Sequence, residues 1–148
     1  MTAPPISRDH SLEPNLAENA SVKLIGLGGV GGIVARYGAM FLASLGRAVR
    51  LVLIDGDSFE PSNASRMFFG DCGNKAAVTR AELLPRFAES ALALIAIEEF
   101  VTADNLPRLL HGGDIIIHLF RPDVRGLYNL EKMWGMELPE PERALSVG

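Results

Sequence analysis

The chain has 148 residues, which is enough for one domain with one sizeable core, and nearly half of them are hydrophobic, as in soluble globular proteins. The formal net charge of −4 argues against a nucleic-acid partner, because such partners usually require a basic patch. No apolar run is long enough to span a bilayer, residues 1–20 lack a signal-peptide pattern, and the single cysteine, Cys72, excludes a disulfide within the chain. We therefore expect a cytoplasmic protein without a membrane partner.

The first third of the chain is predicted to contain an arm, a strand and a helix. Residues 1–20 are rich in proline, asparagine and charge, which is typical of a flexible arm. The run Ser21–Ile25 leads into a group of glycines and predicts a strand. A helix is predicted over 30–45, and because Arg36 is its one charged residue, we expect most of it to be buried. Apolar residues recur along it at helical spacing: Val30, Ile33, Val34, Tyr37 and Phe41.

The middle of the chain continues this alternation of strands and helices. The apolar run 49–54 is typical of a central strand that is covered on both faces. A polar loop rich in turn residues follows over 55–74. A helix is predicted over 75–87, and Pro85 is expected to kink or end it. The run 92–97 predicts a third strand.

The last predicted elements complete an α/β pattern. Thr102 is predicted to cap a short helix that ends near Leu110, and 114–120 is predicted to be a fourth strand. Residues 126–148 are predicted to form an irregular tail. Strands alternating with helices favour a Rossmann-like, doubly wound and mostly parallel sheet with right-handed crossovers, here a nucleotide-binding domain over 21–125. Ligands of such sheets bind at the carboxyl ends of the strands.

The glycine loop after the first strand is the first candidate site. Gly26, Gly28 and Gly31 satisfy the pattern G-x-G-x-x-G, which combines a tight turn, room for a phosphate and close packing of helix on sheet. Gly29 also lets the backbone approach a phosphate, and the helix start offers amide groups to the anion. Asp55 ends the next strand, where an acid can bind a ribose hydroxyl. The context of strand, helix and acid therefore predicts nucleotide binding.

The loop after the second strand contains more polar and charged residues than a dinucleotide site needs. The glycine loop is followed, in order, by Asp55 and Asp57, then Ser62 and Asn63, then Arg66, and then Lys75 at a helix start. These elements in this order resemble the adenylation domain of the superfamily of ThiF, MoeB and ubiquitin-activating enzymes. The resemblance covers about residues 21–119 and implies the N-terminal half of a ThiF-type domain.

The resemblance implies an activity and partners. In that family the domain binds ATP and adenylates the C-terminal carboxylate of a ubiquitin-like or sulfur-carrier protein, and its members form dimers, so ATP, such a carrier protein and a homodimer are implied here. Arg66 and Lys75 are the implied catalytic cations on the triphosphate, with Lys75 on the α-phosphate, where cations stabilise developing negative charge. The implied nucleotide-binding residues are Gly26, Gly28, Gly29, Gly31, Asp55, Asp57, Ser62, Asn63, Arg66 and Lys75.

The chain departs from the family pattern after the fourth predicted strand. The family places an aspartate there that binds the Mg²⁺ accompanying ATP, whereas Arg121 occupies that position here. Asp123 is the nearby carboxylate and is the candidate metal ligand. Because a cation repels Mg²⁺, both the Mg²⁺ site and full catalytic competence stay open at this point.

Two other functions remain open from the sequence. The chain could be a non-catalytic nucleotide-binding module that lacks the metal site, or the NAD-binding half of an oxidoreductase. Single residues also have simpler interpretations: Asn63 as a turn former, Arg66 and Lys75 as solvated surface charges, and Asp57 as a ligand of ribose or metal or a cap of the loop. The oxidoreductase hypothesis predicts no role for Asn63, Arg66 and Lys75, whereas the adenylation hypothesis requires them.

Overall fold

The computed structural model describes residues 16–65 and 67–119, and these form a parallel sheet with helices on both faces. The predicted strands and the two longer helices are found with ends close to those expected. The elements in chain order are β1 (Ser21–Ile25), α1 (Gly29–Ser44), β2 (Val49–Ile54), β3 (Ser58–Phe59), a 3-10 turn (Pro61–Asn63), β4 (Gly73–Asn74), α2 (Lys75–Phe87), β5 (Leu92–Ile97), α3 (Leu106–Leu110) and β6 (Ile115–His118).

The strand order confirms the predicted Rossmann-like topology. The main sheet runs β5-β2-β1-β6 and every pairing in it is parallel. Ile25 at the end of β1 pairs with Ile54 of β2 on one side and with His118 of β6 on the other. The chain therefore winds outward from β1 and then crosses back to the other side of it. In open parallel sheets, ligands bind outside the carboxyl ends of the strands at this reversal.

Two apolar clusters hold the helices to the sheet. On one face, α1 and α2 pack on residues such as Leu24 and Leu53, which are almost fully buried. On the other face, Leu106 and Leu109 of α3 pack on Ile54 and its neighbours. β1 and β2 are thus covered on both sides, as the continuous apolar run of β2 predicts.

The first helix corrects one sequence expectation. Five of its large apolar side chains are not buried: between 50% and 68% of each is exposed. The buried face of α1 instead carries mostly small residues: Gly31, Gly32, Ala35, Ala39 and Leu42. Small residues let the helix backbone approach the sheet closely, so the opposite face, which carries the larger side chains, turns outward. The exposed residues are Val30, Ile33, Tyr37, Met40 and Phe41.

Three further details differ from the sequence prediction. Helix α3 begins at Leu106 rather than directly after Thr102, whose hydroxyl oxygen instead accepts a hydrogen bond from Asn105 N at 3.3 Å in the preceding turn. Pro107 lies in the first turn of α3, where its missing N–H costs no helical bond. Pro85 does not end α2, which continues to Phe87. The polar loop 55–74 also contains an unpredicted antiparallel pair, β3 with β4.

Several predictions concern residues that the structure does not describe. Residues 1–15 and 120–148 are outside the described residues, so the predicted arm, the tail and the domain limits stay predictions. Within the described residues, every helix is too short or too polar to traverse a bilayer.

Candidate functional site

The glycine loop is built as a turn that excludes side chains at two positions. Gly26 has φ +96°, a conformation that favours glycine, and a Cβ there would collide with the carbonyl oxygen of Leu119 after β6. A Cβ on Gly31 would collide with the carbonyl oxygen of Gly26. Both glycines therefore let α1 start directly against the turn that leaves β1, as the sequence pattern predicts.

The start of α1 is open to a ligand. Gly28 is the N-cap residue, no side chain in the described part of the chain caps the helix, and no described atom lies within 4 Å of the position that a Cβ on Gly28 would take. The first intrahelical bond runs from Gly32 N to Gly28 O, at 2.8 Å. The amides of the residues between them, including exposed Gly29, have no partner inside the helix. Such a helix start can accommodate a phosphate.

Asp55 follows β2 and is fixed to this loop by its carboxylate. Its Oδ2 accepts a hydrogen bond from Leu27 N at 2.7 Å, and its Oδ1 accepts one from Asp57 N at 2.9 Å. Leu27 is fully buried, so the carboxylate is held against the base of the glycine loop. A carboxylate oxygen can accept more than one hydrogen bond, so this arrangement leaves acceptor capacity for ribose hydroxyls.

Lys75 is buried and paired rather than solvated. The residue is 7% exposed, and its Nζ lies 2.8 Å from Oδ2 of Asp57. Its backbone N–H donates to the carbonyl oxygen of Asp57 at 2.8 Å, and the Phe59 ring centroid lies 5.8 Å from Nζ. The interpretation of Lys75 as a solvated surface charge is therefore wrong. The hydrogen bond from Lys75 is also the main reason why the pKa of the Asp57 carboxyl is lowered from its ordinary value.

Asn74 is a site residue that the sequence analysis missed. Its side-chain Nδ2 donates to the carbonyl oxygens of Asp55 and Asp57, at 2.8 and 3.3 Å. Its Oδ1 caps α2 by accepting from Ala77 N at 3.0 Å. One amide group therefore ties the loop after β2 to the helix that begins with Lys75. An asparagine directly before a predicted helix is a capping signal that could have identified it.

The remaining predicted site residues in the loop after β2 are Asn63, Ser62 and Arg66. Asn63 ends the 3-10 turn, and its Oδ1 accepts a hydrogen bond from Glu60 N at 2.9 Å, so it acts as a turn former in this structure. Ser62 is exposed in the same turn. Arg66 is outside the described residues, so its predicted contact with the triphosphate stays a prediction. The chain after it returns toward Lys75, because the ring of Phe69 stacks on Phe59 with centroids 4.8 Å apart.

The predicted metal ligand lies outside the described part of the chain. Within 16–65 and 67–119, no group of three or more His, Cys, Asp or Glu residues converges as metal ligands would. The carboxylate of Asp57 is paired with Lys75. The candidate ligand Asp123 is not among the described residues, so the predicted Mg²⁺ site stays a prediction.

The ion pair of Asp57 and Lys75 predicts a pH effect. Because the folded-state pKa of Asp57 is lowered, its stabilising contribution is present at neutral pH and is lost as acidification protonates the carboxyl. We expect Asp57→Asn to lower the free energy of unfolding at neutral pH by about 0.2–1 kcal/mol, the range of exposed ion pairs. Urea unfolding at neutral and acidic pH would measure this, with Asp104→Asn, at an exposed turn, as the control. An equal loss at both pH values would contradict a charge effect.

Comparison with known proteins agrees with the fold. A family model described as the ThiF family matches residues 13–120. The crystal structure of E. coli MccB with ATP is similar to this chain, with 25% identity and a TM-score of 0.62 over 78% of this chain and 33% of that one. The E. coli tRNA N6-threonylcarbamoyladenosine dehydratase TcdA in complex with ATP is also similar, with 26% identity and a TM-score of 0.56 over 81% of this chain and 49% of that one.

A separate, short sequence match also exists. Over 27 residues the chain is 78% identical to the ribosomal silencing factor RsfS of Zymomonas mobilis subsp. mobilis, which covers 18% of this chain and 20% of that protein. This is too little of either chain to show a family. The chain thus spans a fifth of this relative, and a third to a half of the two solved structures.

Proposed function

Because this chain belongs to the ThiF family and has its adenylyltransferase fold, we propose that it binds ATP at the carboxyl edge of its sheet and transfers the adenylyl group to a carboxylate. The observation that carries the proposal is that one side chain, Asn74, connects the loop after β2 to the start of α2. Asn74 joins the loop of Asp55, which suits a ribose, to the buried amine of Lys75, which suits a phosphate. The structures of MccB and TcdA with ATP support the choice of nucleotide.

The proposed pose follows from the charges of the site. The β- and γ-phosphates lie toward the open start of α1 at Gly28 and Gly29, whose amides carry partial positive charge. The ribose hydroxyls donate to the carboxylate of Asp55. The α-phosphate lies at Lys75, whose amine leaves Asp57 or is shared with it. Arg66 is the second proposed cation, and Asn63 and Ser62 complete the proposed set.

The proposed reaction is an in-line displacement at the α-phosphorus. An oxygen of the acceptor carboxylate attacks this phosphorus, the bond to the oxygen bridging to the β-phosphorus breaks, and pyrophosphate leaves with that electron pair. The products are an acyl adenylate and pyrophosphate. Lys75 stabilises the negative charge that develops on the non-bridging oxygens.

The proposed acceptor is the C-terminal carboxylate of a ubiquitin-like or sulfur-carrier protein, and a second copy of the chain is the proposed oligomeric partner. Both rest on the family resemblance. Pyrophosphate–ATP exchange in the presence of such a carrier tests the enzyme proposal. Tight ATP binding without exchange would favour the non-catalytic module.

Nucleotide choice gives a direct test. We expect ATP to raise the melting temperature more than NAD does at equal concentration, because binding to the folded state adds about 2.7 kcal/mol at a ligand concentration of 100 Kd. Differential scanning fluorimetry would measure both ligands side by side. A rise with NAD and none with ATP would favour the oxidoreductase alternative and reject adenylation.

A further inference from the structure

Arg36 of α1 joins three separate parts of the described chain. Its Nε and Nη2 donate to the two carboxylate oxygens of Glu82 in α2, at 3.3 and 2.8 Å. Its Nη1 donates to Gly32 O in its own helix at 3.0 Å, and its Nη2 also donates to Phe68 O in the loop after β2, at 3.2 Å. One guanidinium therefore makes a bidentate ion pair between two helices and holds a loop to them.

Helix α1 leaves room for this guanidinium at Gly32. A Cβ there would lie 2.9 Å from Nη1 of Arg36, which is the one described atom within 4 Å of that position outside the adjoining part of the helix. Alanine is otherwise favoured over glycine inside a helix. The side chains of Arg36 and Glu82 are 26% and 36% exposed, so neither charge is freely solvated.

The loop segment 67–70 lies between this ion pair and the candidate site. Besides the hydrogen bond to Arg36, the segment passes close to the stem of Glu82, because a Cβ on Gly70 would lie 3.9 Å from Cγ of that side chain. Phe69 stacks its ring on Phe59, with centroids 4.8 Å apart and ring planes within 7° of parallel. The segment is therefore held by the ion pair and by an aromatic stack.

The aromatic stack connects the segment to the amine of Lys75. Phe59 is 4% exposed, and its ring centroid lies 5.8 Å from Nζ of Lys75. The half-buried ring of Phe69 covers this ring. Lys75 is itself only 7% exposed, although an ammonium group is strongly hydrated in water. Movement of Phe69 would therefore let water reach the surroundings of the amine.

We propose that Arg36, paired with Glu82, is a positioning residue for Lys75. It holds the segment 67–70, so that the aromatic stack stays closed and the amine stays shielded from water. The consequence for ATP rests on the proposed function, in which this amine contacts the α-phosphate. An amine that is already held in place loses less conformational freedom when the phosphate binds.

The reactivity of the Lys75 amine tests the inference without any nucleotide. Competitive labelling of the full chain with acetic anhydride, read by mass spectrometry, compares Lys75 with Lys23, which is equally buried but donates to carbonyl oxygens at the end of α3. We expect Arg36→Met to raise the labelling rate of Lys75 relative to Lys23 by about 3- to 10-fold, because a hydrogen-bonded, partly exposed ion pair is lost. Gly32→Ala keeps both charges but displaces the guanidinium, so it should act in the same direction.

The matched control is Arg108→Met, which removes the ion pair with Glu99, away from the segment 67–70. It should leave the ratio of the two labelling rates unchanged. A general loss of stability in Arg36→Met would raise the rates of both lysines together and would overturn the positioning role. An unchanged ratio in the folded variant, checked by circular dichroism, would overturn it as well. Gly32→Ala keeps the test decisive if Arg36→Met does not fold.

Calorimetry with AMP and adenosine separates this inference from the proposed function. We expect Arg36→Met to weaken AMP binding by about 3- to 10-fold and to leave adenosine binding unchanged, because only AMP carries the α-phosphate. Faster labelling of Lys75 with unchanged AMP affinity would confirm the positioning role and contradict the α-phosphate contact of the proposed function. Weaker AMP binding without faster labelling would overturn the positioning role.

Discussion

Lys75→Met should weaken the binding of ATP and AMP by about 10- to 100-fold while the binding of adenosine stays unchanged. The amine is buried, and a hydrogen bond between a charged group and a phosphate contributes about 1.5–3 kcal/mol. Adenosine lacks the α-phosphate and so cannot lose this contact. Methionine fills most of the volume of the lysine stem, which keeps the packing below Phe59. Isothermal titration calorimetry with the three ligands would measure the difference.

The chain offers a matched control for this experiment in Lys23. This lysine is also 7% exposed, but its Nζ donates to the carbonyl oxygens of Leu109 and His111 at the end of α3, away from the glycine loop. Burial lowers its pKa, so it resembles Lys75 in burial without facing the candidate site. Lys23→Met should lower the free energy of unfolding and leave the ratio of ATP to adenosine affinity unchanged. Equal weakening of all three ligands in Lys75→Met would mean a general disturbance and contradict the α-phosphate contact.

Gly31→Ala should destabilise the fold by about 3 kcal/mol or more and abolish protection by ATP. The added methyl group would overlap the carbonyl oxygen of Gly26, a backbone atom that cannot rotate away as a side chain can. Either the turn after β1 or the start of α1 must move, and both belong to the proposed phosphate site. Urea unfolding with and without ATP would measure stability and binding in one series.

Gly38→Ala is the matched control because it makes the same change in the same helix. No described atom lies within 4 Å of the position of its Cβ, and alanine is favoured over glycine inside a helix by roughly 0.5–1 kcal/mol. This variant should therefore be as stable as the unmodified protein or slightly more so. If Gly31→Ala were equally well tolerated, the close packing of turn and helix would not be required for the fold.

The order and type of the elements could be predicted because they depend on local patterns. The apolar run of β2 and the glycines before α1 are local signals of a buried strand and of a tight strand–helix turn. The position of Asp55 beside the glycine loop could be predicted for the same reason, since it directly follows a strand that runs parallel to β1. The start of α3 was harder to predict, because a helix of five residues shows little periodicity and Thr102 caps a turn rather than the helix.

The sequence by itself therefore determined the parallel α/β framework and the position of the glycine loop along the chain. The tertiary structure decided which groups meet there: Asp57 with Lys75, eighteen residues apart, and Asn74 with the loop of Asp55. It also decided which face of α1 is buried. Periodicity shows which residues share a face of the helix, but it does not show which face packs on the sheet. The face with small side chains is the buried one because it lets the backbones of helix and sheet approach closely, and hydrophobicity alone does not encode the distance between these backbones.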